Sequence, residues 1–213
     1  MSLSIGPNVP RRGNAFSRWL GHAILRVMGW RLAGAVPDLP KMVLIGAPHT
    51  SNMDGVIGLA TLAALGLRAG TMIKDTAFHG VLGIVLRWLG ALPINRRSPK
   101  GVVEQTVDAF NANSQFLLLM APEGTRHAPA SWKRGFYNVA ESAGVPILPA
   151  ACNYQNKIIT FGPPLMPGGD YEADLGKLLL FYAQYGAARH PDRLSKPLCE
   201  LQGRSWQAKP DRD

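Results

Sequence analysis

Cysteine is scarce in this chain. Its 213 residues hold only Cys152 and Cys199. A disulfide framework is therefore not expected, and no CxxC or Cys/His pair at metal-ligand spacing points to zinc. Two cysteines fit a reducing, cytoplasmic setting. Charge is also sparse: Asp, Glu, Lys and Arg together make up 17% of the chain, little for a fully solvated globule. Long apolar runs are missing. The best candidate, residues 55–67, has 13 residues, three of them glycine, whereas a membrane span needs about 20. It reads as a buried helix instead. Residues 1–14 contain Pro7, Pro10, Arg11 and Arg12 and lack the apolar stretch and cleavage site of a signal peptide. There is no internal repeat and no low-complexity block. No Gly-x-Ser-x-Gly elbow is present to make a nucleophile of Ser51 or Ser131, and Cys152 lies in an apolar strand, where packing is its expected role.

What is present is apolar bulk and excess positive charge. Apolar residues make up 46%, and 23 basic against 14 acidic residues give a net charge of +9. The length suits one domain with a sizeable core. A basic chain favours anionic partners: nucleic acid, anionic lipid or phosphorylated substrates. No basic stripe with interleaved aromatics and no nucleic-acid-binding motif appears, which disfavours the first.

The residues alternate between two periodicities. Residues 16–28 have helical spacing, with Phe16, Trp19, Leu20, Ala23, Ile24 and Val27 on one stripe and Arg18 and Arg26 off it. The first 40 residues hold five arginines against one acid, Asp38. A basic amphipathic helix with a tryptophan suits contact with a membrane interface; the competing reading is a helix packed on its own domain. Strands are expected at 42–47, 71–74, 92–95, 116–120, 147–152 and 157–161. Helices are expected at 55–67, 79–89, 102–111, 136–142 and 171–188. This alternation predicts a single α/β domain, with a mostly parallel central sheet flanked by helices and an N-terminal amphipathic helix. The expected divisions are a basic N-terminal segment at 1–28, the main domain at 29–190, and a polar, loosely attached tail at 191–213.

The chemistry concentrates at strand ends, where ligands bind in such folds. The block His49-Thr50-Ser51-Asn52-Met53-Asp54 follows a strand and precedes a helix. Five positions on a regular helix would set His49 and Asp54 about 140° apart, so they cannot share a helix face. They can meet if His49 sits in the turn and Asp54 in the first helical turn, with Ser51 or Asn52 as the cap. Asp54 would also be favoured there by the helix dipole. It would then fix the tautomer of His49 and stabilise its imidazolium. The other ring nitrogen would be free to take a proton from a hydroxyl. The alternative is a histidine that merely caps or packs in a turn. A second block, Pro122-Glu123-Gly124-Thr125-Arg126, follows a strong apolar strand. Gly124 permits a close approach of backbone amides to a phosphate or an oxyanion. Arg126 offers a planar fork for phosphate, and Glu123 suits either a substrate hydroxyl or the bracing of Arg126. A third block, Leu92-Pro93-Ile94-Asn95-Arg96-Arg97, delivers two arginines near Lys100 and reads as a cationic patch or a solvated basic turn. The fourth, Val145 to Ala150, is apolar and reads as a core strand.

These four blocks, in this order over roughly residues 30–165, resemble the glycerolipid acyltransferase family. Its best-known members make phosphatidic acid from lysophosphatidic acid. The resemblance implies that His49 is the general base and Asp54 its orienting partner. It further implies that Arg96 binds the acceptor phosphate with Arg126 assisting, and that Glu123, Gly124 and Thr125 shape the acceptor pocket. The implied reaction moves a fatty acyl group from acyl-CoA or acyl carrier protein to the hydroxyl of lysophosphatidate or a related lyso-lipid, in phospholipid biosynthesis. No metal or prosthetic group is implied. The implied partners are the two substrates and an anionic membrane surface, not nucleic acid, with the protein peripheral on the cytoplasmic face. Ile94 stands where phosphatidate-forming members often carry an aromatic, and His127 where serine is frequent. These differences leave the acceptor open among lysophosphatidate, another lysophospholipid and a lyso-aminolipid. The competing classes are a thioester or lipid acyl hydrolase and a non-catalytic protein that binds anionic lipid.

Overall fold

The computed structural model describes residues 3–80, 83–84, 91–95, 97–98 and 100–208. Most of the helix expected at 79–89, and Arg96, lie outside the described residues. The first helix, α1, spans Ala15–Val27 and starts at a capping box. The Asn14 side chain accepts from the Ser17 amide, and Ser17 returns the bond to the Asn14 amide. Then follow β1 (Arg31–Gly34), β2 (Lys41–Ala47), α2 (Asn52–Leu65), β3 (Ala69–Gly70), β4 (Met72–Lys74), β5 (Leu92–Ile94), α3 (Val102–Ala112) and β6 (Phe116–Met120). The chain continues through α4 (Gly135–Ala143), β7 (Ile147–Asn153), β8 (Ile158–Phe161), α5 (Tyr171–Tyr185) and α6 (Lys196–Leu201).

Six strands form one sheet in the order β1-β8-β7-β2-β6-β3. Every neighbouring pair is parallel except β7–β8. The chain is thus a single α/β domain with a mostly parallel sheet. Its central strand, β2, is buried on both faces, which accounts for its unbroken apolar run. Alternation along β2 splits the core in two. Met42 and Leu44 join Ile57, Ala60 and Ala64 of α2 on one side, while Val43 and Ile45 join Phe110, Phe136, Val139 and Leu178 from α3, α4 and α5 on the other.

Three expectations need correction. The strand expected at 71–74 does not enter the main sheet; as β4 it pairs in parallel with β5 in a separate two-stranded sheet. β1 and β3 were not anticipated: β1 is short and half-exposed, and β3 is only two residues long, too short for a period to show. The loosely attached tail is in fact docked over residues 191–208. Leu194, Leu198 and Cys199 are buried in the core beside Trp132 and Phe136, and buried Ser195 accepts a hydrogen bond from Trp132 Nε1 at 3.0 Å. The polar average of this segment hid Leu194, just before α6, and Leu198 and Cys199 within it, which turn inward.

The N-terminal helix packs on its own domain. A narrow seam, Gly21 and Leu25, is buried against the domain. A Cβ on Gly21 would lie 2.4 Å from the Ala64 amide nitrogen and 2.8 Å from the Ala60 carbonyl oxygen of α2, so only glycine permits this approach. Of the apolar stripe, Ile24 packs against the core, while the rest points away: Phe16 is 66% exposed, Trp19 63% and Val27 88%, and the Phe16 and Trp19 rings stack at 5.9 Å. Among the described residues, no helix is long and apolar enough to cross a membrane.

Candidate active site

The loop leaving the central strand carries the predicted pair. After the cis Ala47–Pro48 bond, His49 sits in the turn and Ser51 caps α2, its hydroxyl accepting from the Met53 amide at 3.1 Å. Asp54 occupies the third position of that helix and closes a capping box. Its Oδ2 accepts from the backbone amides of Thr50 and Ser51 at 2.7 and 2.8 Å and lies 3.3 Å from His49 Nδ1. The expected contact between imidazole and carboxylate is therefore present, with the dipole and cap that sequence spacing required. Nε2 of His49 is not engaged by any described residue.

The other Asp54 oxygen receives a donor that no sequence motif indicates. Tyr154, in the turn after β7, donates to Oδ1 at 2.5 Å and packs edge-on against Trp30, ring centroids 5.0 Å apart. Burial alone would disfavour the charge on Asp54, but hydrogen bonds from His49, Tyr154, Ser51 and Thr50 outweigh it and hold the carboxyl below its ordinary value. The Tyr154 hydroxyl is pushed up by burial and by the bonded Asp54 charge, so it remains a donor.

Glu123 supports the loop from the other side. It is 1% exposed, and its Oε2 accepts from the His49 backbone amide at 2.5 Å. Its Oε1 is buried and has no hydrogen-bond partner. It does not brace Arg126, whose Nη1 instead donates to Asn52 Oδ1. Burial pushes the Glu123 carboxyl up to about 8; the His49 amide opposes this and the Asp54 charge reinforces it. Gly124 has φ of +67°, and a Cβ there would meet Lys133 Cγ at 2.6 Å. Its amide is already given to the Ala121 carbonyl at 3.1 Å, so it is not the free anion donor expected of that turn. Thr125 is half-buried and Arg126 exposed.

Lys100 contacts both Asp108 and Glu104 on α3, which offsets its charge. Positive charge arrives from an unforeseen direction, the segment after α5. Arg189 Nη1 lies 3.4 Å from Ser51 Oγ and Arg193 Nη1 lies 3.4 Å from the Thr50 carbonyl oxygen.

His49 and Asp54 line a cavity of about 560 Å³ running between α2 and the sheet. Its remaining wall is largely apolar, including Leu44, Ile57, Leu62, Leu119, Ile159 and Phe161. Gly46, Gly55 and Gly58 also line it, and a Cβ on any of them would meet nothing within 4 Å. Cys152 is a wall residue too; burial first, then the Asp54 charge, pushes its thiol up, the opposite of what a nucleophilic cysteine needs. Among the described residues, no group of three or more His, Cys, Asp or Glu could hold a metal ion.

The mostly parallel α/β domain thus sets a His–Asp pair beside a largely apolar cavity. Residues 35–153 match the Acyltransferase family model; that is more than half of the chain, which belongs to this family. No curated protein sequence matches the chain significantly. Among solved structures, it is similar to the 1-acyl-sn-glycerophosphate (LPA) acyltransferase PlsC from Thermotoga maritima, with a TM-score of 0.55 and 14% identity, over 90% of this chain and 80% of that one. At that identity the likeness shows the fold.

Glu123 makes stability depend on pH in a definite direction. The unfolded chain releases this proton near the ordinary value of 4.5, and the folded chain holds it to about 8. The folded state therefore binds more protons between these limits, and this group's contribution to stability falls as pH rises through them. Glu123→Gln keeps an oxygen for the His49 amide but does not titrate. In urea melts at pH 5 and pH 9, the variant is expected to gain on the wild type at the higher pH. Parallel pH dependence in the two proteins would show that the carboxyl is not held protonated.

Proposed function

We propose that this protein is an O-acyltransferase acting at a membrane surface, moving a fatty acyl group from acyl-CoA or acyl carrier protein to the free hydroxyl of lysophosphatidate or a related lyso-lipid. One observation carries the reading: an oriented His49–Asp54 pair lining a deep apolar cavity. The acyl chain occupies that cavity and brings its thioester to His49. Nε2 takes the proton of the acceptor hydroxyl as its oxygen attacks the thioester carbonyl. Asp54 stabilises the imidazolium. The tetrahedral intermediate collapses, the carbon–sulfur bond breaks, and the imidazolium returns the proton to the leaving thiolate. The scheme calls on no protein nucleophile, metal or prosthetic group. His49→Ala should leave the fold intact and lower transfer by roughly 10²–10⁴-fold, the ordinary worth of a positioned base. An unchanged rate with acyl-CoA and lysophosphatidate would sink the dyad.

Chain length follows from the cavity wall. A side chain on Gly58 has open space to fill and would project into the room for the acyl chain. Gly58→Leu is expected to shift kcat/KM toward shorter acyl-CoA donors across a chain-length series. The same preference in both proteins would place the chain elsewhere.

The exposed stripe on α1 supports peripheral attachment, expected on the cytoplasmic face. Aromatic rings at Phe16 and Trp19 suit the interfacial layer, and Arg18, Arg26 and Arg31 suit anionic headgroups. Replacing Phe16 and Trp19 by serine should reduce co-sedimentation with anionic vesicles. Undiminished binding would remove α1 from the membrane contact.

A further inference from the structure

We propose that Tyr154 is a positioning residue of the His49–Asp54 pair: its hydroxyl pins the second carboxylate oxygen and so fixes how strongly Asp54 holds the imidazole. This role deepens the acyltransfer reading and rests on it for the reaction, though not for the hydrogen bonds themselves. The Thr50 and Ser51 amides hold Oδ2 of Asp54 at 2.7 and 2.8 Å. A carboxylate pinned at one oxygen can still pivot about its side-chain bond. Tyr154 supplies the second pin, donating to Oδ1 at 2.5 Å. With both oxygens anchored, the plane of the carboxylate is set, and with it the edge that faces His49 Nδ1 at 3.3 Å. The family match does not extend to this residue, since the matched residues end at 153.

Tyr154 is itself held on two sides. Its backbone amide donates to the Ala187 carbonyl at 2.9 Å. Its ring packs edge-on against Trp30, which is 6% exposed. The donor is therefore fixed before any ligand arrives. Tyr154 is not among the residues lining the cavity that His49 lines, so its hydroxyl is spent on Asp54 and not on a substrate. Its influence runs through the aspartate to the ring.

The bond lengths divide the carboxylate's charge unequally. Of the four donors on Asp54, Tyr154 is the nearest and the His49 ring the farthest. Each donor satisfies part of the charge and weakens the hold on the next. Tyr154 thus tempers the pull of Asp54 on the imidazolium, which leaves His49 able to return its proton to the leaving thiolate. Without the hydroxyl, more of the charge falls to His49, and the ring keeps its proton to higher pH. The other groups around His49 stay as they are. Glu123 bonds the His49 backbone amide, not the ring, and keeps its proton to about pH 8. The Cys152 thiol is pushed up and neutral. Lys133 lines the same cavity. Arg126, Arg189 and Arg193 reach the side chain of Asn52, the hydroxyl of Ser51 and the carbonyl of Thr50. His190 meets Thr50 through its backbone amide, and Asp192 stands in the same segment. Replacing the Tyr154 hydroxyl changes none of these, so a change in the titration of His49 reports the Tyr154 bond.

The test measures kcat/KM against pH, with acyl-CoA and lysophosphatidate, for the full-length wild type, Tyr154→Phe and Tyr154→3-fluorotyrosine. The fluorinated ring keeps the hydroxyl and makes it a stronger donor. A general base works only when unprotonated, so the titration of His49 sets the acid limb of the profile. In Tyr154→Phe the limb is expected to move up by about one pH unit, a loss of about tenfold at pH values below it, with the plateau changed less. In the fluorotyrosine protein it should move down. A lowered plateau with an unmoved midpoint would mean that Tyr154 merely props the turn after β7, and would overturn the role; so would profiles that match the wild type. NMR titration of the His49 ring, identified by the signal missing from His49→Ala, reads the same midpoint without activity. If the wild type transfers no acyl group yet the two variants shift that midpoint in opposite directions, the acyltransfer reading fails and the Tyr154 tie stands. If it transfers none and the midpoint does not move, both fail. Should Tyr154→Phe not fold, the fluorotyrosine protein carries the comparison alone.

Discussion

The structure of the site depends on one carboxylate. Asp54 is simultaneously the third residue of α2, the acceptor for the two amides that begin that helix, the partner of His49 and the acceptor for Tyr154. A charge in so sheltered a place would be costly without partners. Here the donors that make burial tolerable are the His49 ring, the Tyr154 hydroxyl and two loop amides. The helix start, the histidine tautomer and the turn after β7 are fixed by the same atom pair. Changing any of them disturbs the others, because their common acceptor has little spare capacity.

Sheet topology explains how distant residues reach that carboxylate. β2 lies between β7 and β6, and all three run parallel. Their carboxyl ends therefore open on the same edge of the domain. His49 follows β2, Glu123 follows β6, and Tyr154 follows β7. The His49 loop is thus gripped from both sides: Glu123 takes its backbone amide, and Tyr154 takes its aspartate. Glu123 works on the peptide of the histidine and Tyr154 on the orientation of its ring. Neither needs to touch a substrate to matter.

Much of this was legible in the sequence, for identifiable reasons. The central strands showed because burial on both faces demands unbroken apolar runs. The His49–Asp54 geometry showed because a five-residue offset admits contact only across a helix start, and Ser51 was there to cap it. What stayed hidden depended on contacts distant in sequence. Nothing around Tyr154 indicates that its hydroxyl meets a residue 100 positions earlier. Glu123 looked like a substrate ligand because its neighbours Gly124 and Arg126 suggested an anion loop, whereas its depth behind β6 turns it inward. Arg189 and Arg193 belong to no motif that would single them out, and Arg193 falls in a segment of polar composition. Its docking rests on a few leucines and on Ser195 beneath Trp132.

The glycine contact between α1 and α2 has a mechanical corollary. With backbone meeting backbone at Gly21, no side chain separates the two helices there, and little room is left for one to shift against the other. α2 forms a wall of the cavity and begins at the histidine loop. If the aromatic stripe rests in a lipid interface, the depth at which it settles also sets the height of that wall above the hydrocarbon. A fatty chain could then slide from the bilayer into its slot without its whole length passing through water.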